Sequence, residues 1–474
     1  MRDTKVYLVL KNLSNRERGK FLKFIQSPYF NKNQPLIELF KVLNKDITAK
    51  TPKKLEKNTI WKKIQVDQTY DDVRFRKYLS DLLKLLENFL AQQTYEKNAF
   101  LKANCLLESV VDKKLETLYS TVKRNANQIS ENSSIQNSDY FLFLYQSKKA
   151  LHDIETDNQQ KKTISTNFTK LSDYLDIFYF SEKLRLNYDA EVWSRIDGTI
   201  DAEIKNIEDI TQLIEAQKER FKSPSLSVYY SMFLMNKHPE NKQFYFNFKQ
   251  SIDENLVFFP NHEAIPIYTA GINHCIRKIN TGDSSFLEEL FILYQGYVNT
   301  LVEATNQLTH WTFNNIITVA LRLGKFDWVK DFIDRYNLFI PSKHRENAVT
   351  YNTATYHFHK KNHAEVIKLL RNIEYEDISY NINSKTYLLR TYYETGEFEP
   401  LSFLLESFRA YLNRNKNIPE SKKVLTKKLI QFTKKLVNLP PSDSKAITKI
   451  KNEISQSKQL PLRNWLLEKI AELE

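Results

Sequence analysis

A chain of 474 residues is too long for one core, because single cores stop growing at roughly 250 to 300 residues, so it must form several domains or an open array. Its 41% apolar and 13% aromatic residues suffice for a packed interior, while 27% charged residues, a net charge of +13 and a mean hydropathy of −0.53 exclude a membrane-embedded class. Seven glycines and thirteen prolines are few for the tight turns of sheets, and an all-α chain follows.

The opening contains no signal-peptide pattern, and no apolar run approaches the roughly 18 residues that span a bilayer. Val6 to Leu10 is the one stretch with strand character. Ser14-Asn15-Arg16-Glu17 is a capping box, and Phe21, Phe24 and Ile25 give the helix behind it an apolar face that ends at Ser27-Pro28. A second helix begins at Pro35 and runs through Leu36, Leu39, Phe40 and Leu43. Thr51-Pro52 announces a third around Trp61. The fourth is the most regular, since Phe75, Tyr78, Leu79, Leu82, Leu86, Phe89 and Leu90 keep a three-and-four spacing. Three helical patterns occupy Asn98 to Asn158, interrupted by a polar loop from Glu131 to Asn137. Leu175 to Tyr188 is aromatic-rich and reads as an inner helix. Polar breaks at Asp197-Gly198 and Ser223-Pro224-Ser225 separate it from helices around Ile210 and Tyr229. The helix from Ile265 to Ile279 stops at Asn280-Thr281-Gly282, and another follows from Phe286 to Val302. Pro419, Pro440-Pro441 and Pro461 punctuate three final helices, the last carrying Trp465, Leu466 and Ile470.

Between Trp311 and Leu405 one pattern recurs three times. Gly324 is followed by Phe326, Val329, Ile333 and Tyr336; Lys361 by His363, Val366, Leu370 and Ile373; Gly396 by Phe398, Leu401, Leu405 and Phe408. The anchors stand 37 and 35 residues apart, a spacing that fits two helices and two turns. This pattern resembles the tetratricopeptide repeat (TPR) family, most closely at Leu323-Gly324-Lys325-Phe326-Asp327-Trp328, which closes with Pro341. The chain departs from it by placing Val329, Val366 and Leu401, and then Tyr336, Ile373 and Phe408, where the family prefers alanine, so its helices should be more widely spaced. The resemblance implies a TPR-like α-solenoid of antiparallel helix pairs whose concave wall binds a peptide or protein. Four segments are expected: a basic N-terminal helical domain at 1–95, a divergent hairpin array at 96–310, the TPR-like repeats at 311–412 and basic helices at 413–474.

Catalytic and metal-binding patterns are incomplete. Asp197-Gly198-Thr199 is similar to the nucleophile loop of haloacid-dehalogenase-like phosphatases, but Arg195 stands where a catalytic aspartate is needed. His262-Glu263 opens like a zinc-protease helix, yet Pro266 replaces the second histidine. His357, His359 and His363 lack an acidic or thiol ligand to complete a shell, and no glycine-rich phosphate loop is present. A non-enzymatic chain without a cofactor is expected. Cys105 and Cys275 form neither a metal pair nor a disulfide framework, which favours the reducing cytoplasm.

Charge is concentrated at the ends. Residues 1–100 hold 21 Lys and Arg against 11 Asp and Glu, residues 401–474 hold 15 against 7, and the middle is net acidic. In the first domain Lys53, Lys54, Lys57, Lys62, Lys63, Arg74, Arg76, Lys77 and Lys84 flank a helix, a turn and a longer helix, an order shared by DNA-binding helix-turn-helix units. Asp71, Asp72 and Asp81 among them would repel phosphate, so nucleic-acid regulation stands as the alternative. Lys422, Lys423, Lys427, Lys428, Lys434 and Lys435 form a second patch that reads as a solvated helix face.

The expected function is that of an interaction scaffold. Residues ten, six and two before each turn anchor fall four apart and therefore share one stripe of each first helix. They are Asn314, Thr318 and Arg322, then Tyr351, Thr355 and His359, then Thr386, Arg390 and Glu394. A stripe with these polar tips suits an extended peptide, with Arg322 and Arg390 making charge-assisted bonds. The chaperone-tail clamp known in the TPR family is not reproduced here.

Overall fold

A computed structural model describes residues 1–49, 55–65, 68–157, 167–198, 204–371, 377–440, 443–457 and 459–473. Thr51, Pro52, Lys53, Lys54, Thr199, Ile373 and Pro441 lie outside the described residues. Within those described, the chain is all-α, with no strand, and no helix is long and apolar enough to cross a membrane. It divides into two compact units, residues 1–230 and 231–474.

The first unit opens with α1 (Lys5–Asn12), α2 (Asn15–Gln26), α3 (Gln34–Thr48), α4 (Lys57–Ile64) and α5 (Asp72–Lys97). The strand expected at Val6 to Leu10 is instead α1: a helix turns Val6, Tyr7 and Leu10 to the same side, and all three are buried, whereas a strand would expose alternate residues. Ser14 and Glu17 form the capping box, the Glu17 amide donating to Ser14 Oγ at 3.2 Å and the Ser14 amide to Glu17 Oε2 at 2.8 Å. Pro35 sits in the first turn of α3, where its missing amide costs nothing. The rings of Phe21, Phe40 and Phe89 then meet at 5.1 and 5.3 Å, closing one core shared by all five helices. Asp46, at the end of α3, accepts from Arg2 Nε and Nη2 (3.1 and 2.9 Å) and from Tyr7 Oη (2.7 Å). Those donors, Arg2 first, hold its carboxyl below the usual range.

There follow α6 (Ala99–Asp112), α7 (Tyr119–Asn132), α8 (Ser138–Asp157), α9 (Phe168–Ile196), α10 (Ile207–Ala216) and α11 (Pro224–Lys237), within which the two units divide. The inner helix expected at Leu175 to Tyr188 is part of the longer α9 and is buried along one side only. Ile177, Phe180, Leu184 and Tyr188 are inside, while Tyr179, Leu186 and Trp193 are 42%, 48% and 57% exposed.

The second unit continues with α12 (Lys242–Asn255), α13 (Asn261–Asn280), α14 (Phe286–Thr305), α15 (His310–Arg322), α16 (Phe326–Tyr336), α17 (Ser342–His359), α18 (His363–Leu370), α19 (Ile378–Glu394), α20 (Phe398–Arg414), α21 (Glu420–Val437), α22 (Ser444–Gln456) and α23 (Arg463–Ala471). Consecutive helices pack as α13 with α14, α15 with α16, α17 with α18 and α19 with α20. In addition α15 packs on α17, and α17 on α19.

Candidate functional site

The three turn anchors share one backbone. Gly324, Lys361 and Gly396 have φ of +71°, +56° and +73°, the left-handed region that a lysine adopts only at a cost. Each is followed by an amide that reaches five residues back: Lys325 to Ala320 O at 3.0 Å, Asn362 to His357 O at 2.9 Å and Glu397 to Tyr392 O at 2.9 Å. That bond caps otherwise orphaned carbonyls at the end of each first helix. The same turn occurs upstream at Gly282, with φ +102° and Asp283 bonding Lys278 O at 3.0 Å. The series of turns therefore begins before Trp311, where the sequence pattern fades.

These turns fix the ends of α15, α17 and α19, whose mutual packing forms a wall. An aromatic ladder runs along it. Trp311 lies 5.8 Å from Tyr380, which stacks on Tyr351 at 4.5 Å. Tyr387 lies 6.2 Å from Tyr351 and 4.7 Å from Phe358. The Arg390 guanidinium then sits 4.6 Å over Phe358 and 5.6 Å from the Trp465 ring of α23. At the open end His310 packs against Trp311 and His344 at 4.9 and 4.7 Å, and Trp311 is 43% exposed. The sequence reading missed this ladder. Its signal was an aromatic or histidine near the start of each first helix, at His310, Trp311, His344 and Tyr380.

The nine stripe residues do not make one open surface. Arg322 is exposed, and Asn314, Thr318, His359 and Thr386 are half-buried. Tyr351 and Thr355 are only 3% and 1% exposed, because α17 is packed on both α15 and α19 and turns these side chains into a seam. A partner cannot reach them without opening that seam. The hydroxyls of Thr318, Thr355 and Thr386 donate to carbonyls of their own helix, Asn314 O, Tyr351 O and Ile382 O, at 2.8, 2.9 and 2.8 Å.

Arg390 and Glu394 are engaged within the unit. Trp465 Nε1 donates to Glu394 Oε1 at 2.9 Å, while Arg390 Nη2 and His363 Nε2 approach the same carboxylate at 3.8 Å. Burial lowers the Arg390 pKa from its ordinary value, and burial together with Arg390 lowers that of His359. Asn314 Oδ1, Arg390 Nε and His363 Nδ1 are buried without a hydrogen-bond partner among the described residues. The accessible part of the wall therefore runs from Trp311 through Asn314 and Thr318 to Arg322, with His359 and Thr386 beside it.

His357, His359 and His363 are divided between α17 and α18, His357 Nδ1 facing Asn362 Nδ2 at 3.4 Å. No group of three His, Cys, Asp or Glu among the described residues is placed to share a metal ion. Burial pushes the Cys275 thiol up to about 12, where it is a poor nucleophile.

The basic residues of the N-terminal helices separate into two sets. Asp72 takes Lys57 at 3.0 Å, Arg76 at 2.5 Å and the Tyr70 hydroxyl at 2.6 Å, and its pKa falls to about 2 through the hydrogen bonds of Tyr70 and Lys57. Arg74 is spent on Gln68 Oε1 at 2.6 Å and Tyr78 Oη at 3.0 Å. Lys62, Lys63, Lys77 and Lys84 remain exposed. No protein-family model, curated protein or solved structure matches the chain.

Proposed function

We propose that the chain is a non-enzymatic, cytoplasmic interaction scaffold, a TPR-like α-solenoid that holds a protein or peptide partner on the wall of α15, α17 and α19. The observation that carries this reading is the repetition of one capped, left-handed turn at Gly324, Lys361 and Gly396, together with the packing of each first helix on the next. Stacked units of this kind expose a long surface while each buries its apolar face on its neighbours. Trp311 is the anchor, since a half-exposed tryptophan backed by other rings loses little entropy on binding, and Arg322 supplies the charge. The unpaired thiols of Cys105 and Cys275 accord with a reducing compartment.

Affinity purification of the full chain from its own cells tests the proposal. A partner recovered reproducibly by the native chain should be lost by the Trp311→Ala, Arg322→Glu variant, with circular dichroism unchanged. Retention of that partner by the folded variant refutes the assignment to this wall. A second reading, nucleic-acid regulation through α4 and α5, rests on the exposed cations Lys62, Lys63, Lys77 and Lys84. It requires a duplex complex that weakens steeply with salt and is abolished by reversing those four charges.

A further inference from the structure

Part of the lysine face of α21 lines a cleft. Lys427, Ile430, Gln431, Lys434 and Asn438 recur at three- and four-residue spacing and so share one side of that helix. Ala446, Lys449, Ile450 and Glu453 do the same on α22, and Leu405, Glu406 and Arg409 project from α20. These sides enclose an open cleft of about 860 Å³. Its floor is apolar: Leu405, Ile430 and Leu439 lie nearly buried at its base, while Pro440, Ala446 and Ile450 present open apolar surface to it. Its rim is cationic: among the described residues no carboxylate lies within 4.0 Å of Arg409, Lys427, Lys434 or Lys449, while Lys435 is paired with Glu453. Five cations, Arg409, Lys427, Lys434, Lys435 and Lys449, stand against two carboxylates, Glu406 and Glu453, so the rim is net positive around the apolar floor.

We propose that this cleft binds an acidic peptide segment of a partner protein, which seats a leucine or phenylalanine on the floor and sets carboxylates against Arg409, Lys427, Lys434 and Lys449. Its size is that of ordinary ligand pockets, with room for one or two apolar side chains. Release of water from the floor supplies affinity, and the net positive rim selects an acidic sequence and orients it. The methylene stems of the lysines extend the apolar wall while their ammonium groups stay at the mouth. A nucleic-acid backbone or a free phosphate matches the charge but leaves the apolar floor uncovered. The site is separate from the Trp311 wall.

Fluorescence anisotropy of a fluorescein-labelled peptide, with Asp and Glu flanking two leucines and a phenylalanine, tests this on the full chain. Saturable binding that weakens as salt rises is expected. Each exposed charge pair is worth about two- to fivefold, so Arg409→Glu, Lys434→Glu and Lys449→Glu together should weaken binding more than tenfold. These side chains are exposed, so the helical circular dichroism of the triple variant should match the native chain. Trp311→Ala with Arg322→Glu should leave the peptide affinity unchanged, which separates this site from the scaffold wall. Three results overturn the proposal: the triple variant binding within about twofold of the native chain; equal affinity for a peptide with serine in place of its leucines and phenylalanine; or duplex DNA binding more tightly than the peptide and responding to the same reversals.

Discussion

Gly296→Ala tests how closely α13 and α14 approach. A Cβ built on Gly296 lies 2.5 Å from Tyr268 Oη, 2.7 Å from Cζ and 2.8 Å from Cε1. All three atoms belong to one rigid phenol, so the whole ring must move rather than a flexible tip. The alanine gains about 1 kcal/mol of helix propensity, against roughly 1 to 3 kcal/mol for overpacking a filled interface. A net loss of about 1 kcal/mol is expected. Gly19, inside α2, provides the control, because its added Cβ meets nothing within 4 Å. There the propensity gain is unopposed, and Gly19→Ala should stabilise by about 0.5 to 1 kcal/mol. Urea unfolding followed by circular dichroism reads both, with each midpoint compared within its own transition because the chain has two units. The opposite signs carry the argument. If Gly296→Ala were as stabilising as Gly19→Ala, the close contact between Gly296 and Tyr268 would not exist in solution.

Lys361→Gly should raise stability by about 1 kcal/mol, since the +56° backbone there costs lysine but not glycine, whereas Gly324→Ala at +71° should lower it by about 1 to 2 kcal/mol; thermal melts distinguish the two. Trp465→Phe keeps most of the ring but removes the donor to Glu394, and should cost about 1 to 3 kcal/mol in urea unfolding, because that carboxylate is largely sequestered. His274 is 1% exposed with both ring nitrogens unpartnered, and burial, aided by Arg277 and Lys278, pulls its pKa down to about 4. The unfolded chain therefore takes up the proton first, so the stability His274 contributes is full above its ordinary 6.5 and is lost as pH falls towards 4. At about 1.4 kcal/mol per pH unit, the loss between pH 6.5 and pH 5 approaches about 2 kcal/mol, and His274→Phe should flatten that slope in urea titrations.

The turns were legible in the sequence because they depend on local chemistry. Gly324 and Gly396 announce left-handed caps by composition alone, and Lys361 was found only because Val366 and Leu370 keep the same offsets as their counterparts. Ser14 with Glu17, and Pro35, fixed helix starts for the same reason. Val6 to Leu10 misled because the β preference of two valines is weaker than the gain from placing Val6, Tyr7 and Leu10 in one core. The exposed side of α9 was hidden by its composition, since an aromatic-rich helix is read as inner whether one face or both are covered.

The stripe was harder to read because a helical period establishes which residues share a face, not what that face meets. Tyr351 and Thr355 lie in line with His359 as the spacing requires, yet a neighbouring helix covers the first two. Their polar atoms do not contradict this burial. Thr355 satisfies its hydroxyl on Tyr351 O, and Tyr351 joins a stack of rings that is apolar everywhere except at its rim. Glu394 likewise lies where the spacing puts it, but its partner Trp465 is 71 residues away, a separation no periodicity records. Burial of this kind also redirects the search for a partner. Residues that hold the seam shut contribute to stability, so substituting Tyr351 or Arg390 perturbs folding and binding together. Arg322, exposed at one end of α15, can be changed without opening it, and binding can be measured there on its own, whereas Trp311 at the other end also abuts Tyr380.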